Sequence, residues 1–192
     1  MPEITETLLV TPAGFRSREV ARFLWQMDEQ RRGLLDLVRG VTPDELEWQP
    51  APGMNTIGML LAHIAYAEAH LVQIGVEGKA TSDCRAVIGI GEEEEGLPLS
   101  PGAPPSPALN GRPLAQFEDM LARARAYTHD ACATIEDADL DRQIVRTRPD
   151  GSQRIFNVGW VLYHVLEHEA GHRGQIALLR HHYRILRAEV QS

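Results

Sequence analysis

Three histidines carry the strongest chemical signal in this chain. His168 and His172 stand four residues apart in a strongly helical C-terminal stretch, and His63 lies in another helical stretch far upstream. Side chains four apart on a helix are neighbours, roughly 5–6 Å between Cβ atoms. Two imidazoles can therefore face one cation while a third arrives from a second helix. Three neutral imidazoles with an open position form the ligand set of a catalytic metal rather than a structural one. The competing reading is packing, since a lone inward histidine is more often a hydrogen-bonded core residue than a ligand. Two stacked on one apolar stripe weigh against it, because their ring nitrogens need partners that aliphatic neighbours do not supply.

His168-Glu169-Ala170-Gly171-His172 also fits H-E-x-x-H, in which two histidines bind zinc and the glutamate activates water. The extended form of that motif needs Gly at 175 and His at 178, where the chain has Gln175 and Leu178. A later glutamate ligand would have to be Glu189, far along what reads as one helix. The strands that hold a peptide in such proteases are missing from the pattern, so a zincin-like hydrolase is the weaker alternative.

Four amphipathic segments must position the histidines. Ser17 caps a helix running to about Arg39, with Val20, Leu24, Met27, Leu34 and Val38 at helical spacing. Thr42-Pro43-Asp44-Glu45 reads as a capping box opening a short helical turn. Asn55 or Thr56 opens the second long helix, whose apolar side holds His63 with Leu60, Ala67, Leu71 and Ile74, and Gly75 and Gly78 end it. Residues 79–111 carry Gly89, Gly91, the run Glu92 to Glu95 and prolines 98, 101, 104, 105 and 107. That composition predicts a long crossover loop with its glutamates in solvent. Pro113 starts the third helix. Gln143 to Phe156, with Pro149-Asp150-Gly151 at its centre, predicts a small hairpin.

Asn157 caps the last helix, which reaches about Arg187. At about 100° per residue, Val161, Val165, His168, His172, Leu179, Tyr183 and Leu186 share the inward stripe, while Arg173, Arg180, Arg184 and Arg187 face away. The expected architecture is all-α: one four-helix bundle over residues 1–192, with a lead-in of about 16 residues and a long crossover between the second and third helices.

Composition narrows the function. A formal net charge of −8 disfavours a nucleic-acid or anionic-membrane surface, which needs clustered Lys and Arg. The N-terminal segment lacks the pattern of a signal peptide and no segment reads as a membrane span, so a cytoplasmic protein with a small-molecule substrate is expected. Cys84 and Cys132 read as ordinary reduced thiols.

The segments Ile57-Gly58-Met59-Leu60-Leu61-Ala62-His63-Ile64-Ala65 and His164 to Ile176 (HVLEHEAGHRGQI) resemble the DinB/YfiT-like family of metal-binding four-helix bundles. The resemblance implies a divalent metal, zinc or nickel, held by His63, His168 and His172. It also implies frequent homodimers, and enzymes that use low-molecular-weight thiols such as mycothiol, bacillithiol or glutathione as S-transferases or isomerases. A cation with three neutral ligands keeps its full charge and would push a bound thiol toward thiolate. A non-catalytic bundle stabilised by its metal is the alternative. His164 and His70, near the inward stripe, read as supporting or packing residues, with substrate contact or substitute ligation as alternatives, and His164 is also a candidate catalytic residue. Glu169 is a weak candidate base whose default is a helix-surface carboxylate, and Glu68 reads the same way.

Overall fold

The computed structural model describes residues 8–95, 97, 102–148 and 150–190, the side chains of 189 and 190 excepted. The residues before Leu8, Pro98, Pro101, Pro149 and the Glu189 side chain, all of which entered the expectations above, lie outside the described residues. The bundle consists of α1 (Arg18–Val38), α3 (Ile57–Leu71), α6 (Leu114–Cys132) and α7 (Val158–Val190). Three short helices, α2 (Pro43–Glu47), α4 (Cys84–Ile88) and α5 (Glu92–Glu95), lie in the connections. Among the described residues a single hairpin, β1 (Gln143–Thr147) antiparallel to β2 (Gln153–Asn157), precedes α7.

Local chemistry starts these helices where the side chains predict. Ser17 Oγ accepts the Val20 amide at 2.9 Å, Thr56 Oγ1 that of Met59 at 3.1 Å, and Asn157 Oδ1 that of Trp160 at 2.8 Å. Each fills a bond that the first helical turn lacks. Only half of the expected capping box forms at α2: Thr42 Oγ1 accepts from the Glu45 amide, but the Glu45 carboxylate turns inward to Arg180 at 2.8 Å. Arg180 is therefore 7 % exposed, and its guanidinium also donates to the Leu37 carbonyl. The helical projection had it facing solvent, while Leu186, projected inward, is 47 % exposed. Both differences arise because the end of α7 packs against α2 through Glu45 and Trp48 rather than lying deep in the bundle.

After Leu71 the α3 backbone widens into one π turn, Val72–Val76, buried throughout. Gly75 sits there against α7, and a Cβ at that position would lie 2.4 Å from Val161 Cγ2. Its role is close helix approach rather than helix termination, which falls to Gly78 at φ +71°. Together Ile57–Val76 make 20 residues apolar and long enough to cross a membrane, contrary to the expectation that no segment reads as a span; 78 % of their 18-residue apolar stretch is buried, as a bundle's central helix should be.

The core falls into two apolar parts, one around Leu34, Leu60, Ile64, Phe117, Leu121 and Ile176, the other around Leu24, Met27, Val72, Val161, Leu162 and Val165. Between them each long helix contributes one charge: Arg31 from α1, Glu68 from α3, Arg125 from α6 and Glu169 from α7. Arg31 reaches Glu68 at 2.7 Å and Glu169 at 2.8 Å; Arg125 reaches the same two carboxylates at 2.7 and 2.9 Å. Thr128 Oγ1 donates to Glu68, and Arg31 also donates to the Leu121 carbonyl. Glu68 and Glu169 are 2 % and 1 % exposed, which overturns the surface placement expected for both.

Removing one partner leaves a charge buried and unpaired, whereas an exposed pair contributes little. Arg125→Met should cost about 3–5 kcal/mol in urea denaturation, and Arg39→Ala, beside exposed Asp36, under about 1 kcal/mol. Burial would raise the Glu68 carboxyl, but Arg125 and Arg31 outweigh it and hold it at about 2, below its ordinary 4.5. The unfolded chain therefore takes up this proton first. Stability should be intact above pH 4.5 and decline as pH falls below it toward the folded-state value. Denaturation midpoints across that range test the sign.

Candidate metal centre

His63, on the second turn of α3, and His168 and His172, one turn apart on α7, converge where those two helices pack together. Their nearest ring nitrogens all lie within 4.8 Å of one another, and such a group could hold a metal ion. His168 Nε2 is 3.0 Å from His63 Nε2 and 3.1 Å from His172 Nε2. Bonds of about 2.0–2.1 Å to one ion, meeting at right to tetrahedral angles, place ligand nitrogens about 2.9–3.4 Å apart.

The outer nitrogens explain why these three tips face one another. His63 Nδ1 lies 2.7 Å from Glu95 Oε2, so the ring donates there. His172 Nδ1 lies 2.8 Å from Gln175 Oε1 and donates to that amide oxygen. In the neutral rings both Nε2 atoms then carry bare lone pairs. His168 Nε2 touches both, and one proton on it serves only one of them. At least one Nε2 lone pair is therefore left without a donor although another ring nitrogen lies about 3 Å away, a deficit that a shared cation relieves. Burial, with His172 and His63 beside it, pushes His168 down to about 3, and burial lowers His172 as well. Both rings are neutral at pH 7, the form that binds metals.

Glu95 is the residue that sequence reasoning missed. It belongs to the glutamate run expected in solvent, yet it is 2 % exposed. Two anchors bring it in: the Gly91 amide donates to Glu94 Oε2, and Ser106 Oγ donates to the Glu94 carbonyl. A carboxylate on the far nitrogen of a histidine fixes its tautomer and orientation, as outer partners of metal ligands do. Sequence offered one signal, four carboxylates in a row, but nothing in it showed which one turned inward.

A pocket of about 400 Å³ adjoins His63 and His168, with His70, His164, Phe156 and Trp160 among its lining residues. His164 lies stacked on Trp160 at 4.4 Å between ring centroids, its Nδ1 bonded to Glu167. His70 is stacked on Tyr66, with Nδ1 bonded to Ser82 Oγ. Neither replaces one of the three converging nitrogens. Glu169 faces the opposite way, its carboxylate oxygens taken by Arg31 and Arg125, and so is not placed to serve as a base in the pocket. The alternative ligand Glu189 lies 17 residues beyond His172 on the same unbroken helix, roughly 25 Å along its axis. Burial pushes the Cys84 thiol up to about 11 and that of Cys132 up to about 12, so neither is a thiolate at neutral pH.

The family model for the DinB superfamily matches residues 26–176, a span that includes all three histidines and the four core charges. No curated protein matches the chain at a significant level.

If Glu95 orients His63, Glu95→Ala should weaken binding of a divalent ion about 10–100-fold, measured by competition with a chromophoric chelator. Glu93→Ala, which removes an exposed partner of Arg85, should leave the affinity unchanged.

Proposed function

From the premise that this chain belongs to the DinB superfamily, we propose that it is a metal-dependent enzyme that activates a low-molecular-weight thiol for attack on an electrophile. The observation that carries the reading is the convergence of the His63, His168 and His172 Nε2 atoms beside a pocket large enough for a small molecule. Zinc or nickel suits a set of neutral imidazoles. Bound there, a divalent cation would lower the pKa of an incoming thiol, or of water if hydrolysis is the reaction. The chain's own residues hold the site in readiness. Glu95 and Gln175 aim two of the rings, and the buried charges hold α3 and α7 in register.

The thiol comes from outside the protein in this reading, because Cys84 and Cys132 are buried and protonated. S-transfer or isomerisation in the cytoplasm, by a homodimer, completes the proposal. A metal-stabilised, non-catalytic bundle would not need a pocket opening on two of the ligands. A zincin-like hydrolase would need a free Glu169 and a sheet beside the metal helix, whereas Glu169 is bound in the core and β1–β2 is the one sheet among the described residues.

Untagged protein should retain about one divalent ion per chain by elemental analysis, and His63→Ala should lose it. Metal-loaded wild type should accelerate conjugation of glutathione, bacillithiol or mycothiol to 1-chloro-2,4-dinitrobenzene. Stripping the metal should abolish the acceleration and reloading restore it. Full metal retention in His63→Ala would defeat the reading.

A further inference from the structure

The hairpin carries an arrangement that folding alone does not explain. Arg146 of β1 and Arg154 of β2 are directly opposite in register, with Ile144 opposite Phe156 on the same face. Like charges directly opposite across a strand pair are destabilising. Among the described residues, no carboxylate pairs with either one, or with Arg148 just beyond β1. Arg146 donates to the Ala80 carbonyl at 2.9 Å, and Arg154 lies 4.5 Å from the Trp160 ring centroid. All three arginines line the pocket that adjoins His63 and His168. In a chain with 27 acidic and 19 basic residues, three unpaired guanidiniums on one wall make a local reversal of charge.

Resting on the reading of the three histidines as a metal centre, we propose that the hairpin arginines form an anion subsite that binds the carboxylate of a substrate and directs its other end toward His63 and His168. Arginine's planar fork matches a carboxylate with two parallel bonds. Arg154 is held over Trp160 by cation–π attraction, and Arg146 is tethered to the loop carbonyl, so both are positioned before a ligand arrives. Phe156, Trp160, Leu71 and Ile74 supply apolar wall for the body of the molecule. The substrate class is thus a small carboxylate with an apolar or planar body. The carboxylate can belong to the electrophile or to the thiol co-substrate, and two probes separate these sources.

Isothermal titration of metal-loaded and metal-free protein with benzoate, benzamide and S-methylglutathione tests the assignment. The expected result is that at least one carboxylate probe binds about tenfold or more tighter than benzamide. Arg148→Gln/Arg154→Gln, at two exposed positions whose loss should spare the fold, should remove that advantage while metal content and far-UV circular dichroism stay as in wild type. Arg184→Gln, on an exposed part of α7, should bind as wild type. Preference for benzoate assigns the subsite to the electrophile, and preference for S-methylglutathione assigns it to the thiol. Unchanged affinity in the double variant, or an equal loss in Arg184→Gln, overturns the subsite. The metal reading is judged separately: loss of carboxylate binding in the double variant supports the subsite whether or not His63→Ala loses metal.

Discussion

Four charges buried across the middle of the bundle govern the rest of this structure. Arg31, Glu68, Arg125 and Glu169 come one from each long helix, and each arginine bridges both carboxylates. Removing ions from water costs several kcal/mol apiece, and only a closed set of short, well-directed bonds offsets that cost. Such a set tolerates little error: rotating or sliding one helix would strand a charge in the core. The layer therefore fixes the register of α3 against α7. His63 is five residues before Glu68 and His168 immediately precedes Glu169, so the register that closes the ion layer also brings the imidazoles together.

From that frame the site is completed by parts outside the bundle. The connection after α3 folds back so that α5 delivers Glu95 to His63, and the hairpin before α7 walls the pocket with Phe156 and arginines. Gly75 lets the end of α3 approach Val161 with no intervening side chain. The bundle holds the rings close, and the connections decide how they are oriented and what can reach them. Function is often divided in this way, with a rigid scaffold and variable connecting segments.

The division of charge is as informative as the division of structure. The two glutamates of the ion layer are neutralised by its two arginines, whereas no carboxylate among the described residues pairs with the hairpin arginines. A closed layer of equal and opposite charges signals architecture. An excess of one sign facing a cavity signals a ligand.

The bundle, its caps, the hairpin and the three histidines were legible in the sequence because each depends on local spacing: helical periodicity, a Ser, Thr or Asn at a helix start, and imidazoles on one stripe. Arg31 was legible too, at a periodic core position between Met27 and Leu34, had its charge been read as buried. What spacing could not show was which polar side chains meet across helices. Glu169 and Glu68 looked like surface carboxylates because their partners lie 138 and 37 residues from them at Arg31, and 44 and 57 residues away at Arg125. Glu95 looked solvated because only the fold of the crossover brings it to His63. Burial of a charge depends on a partner distant in the chain, and that pairing exists only once the helices have packed.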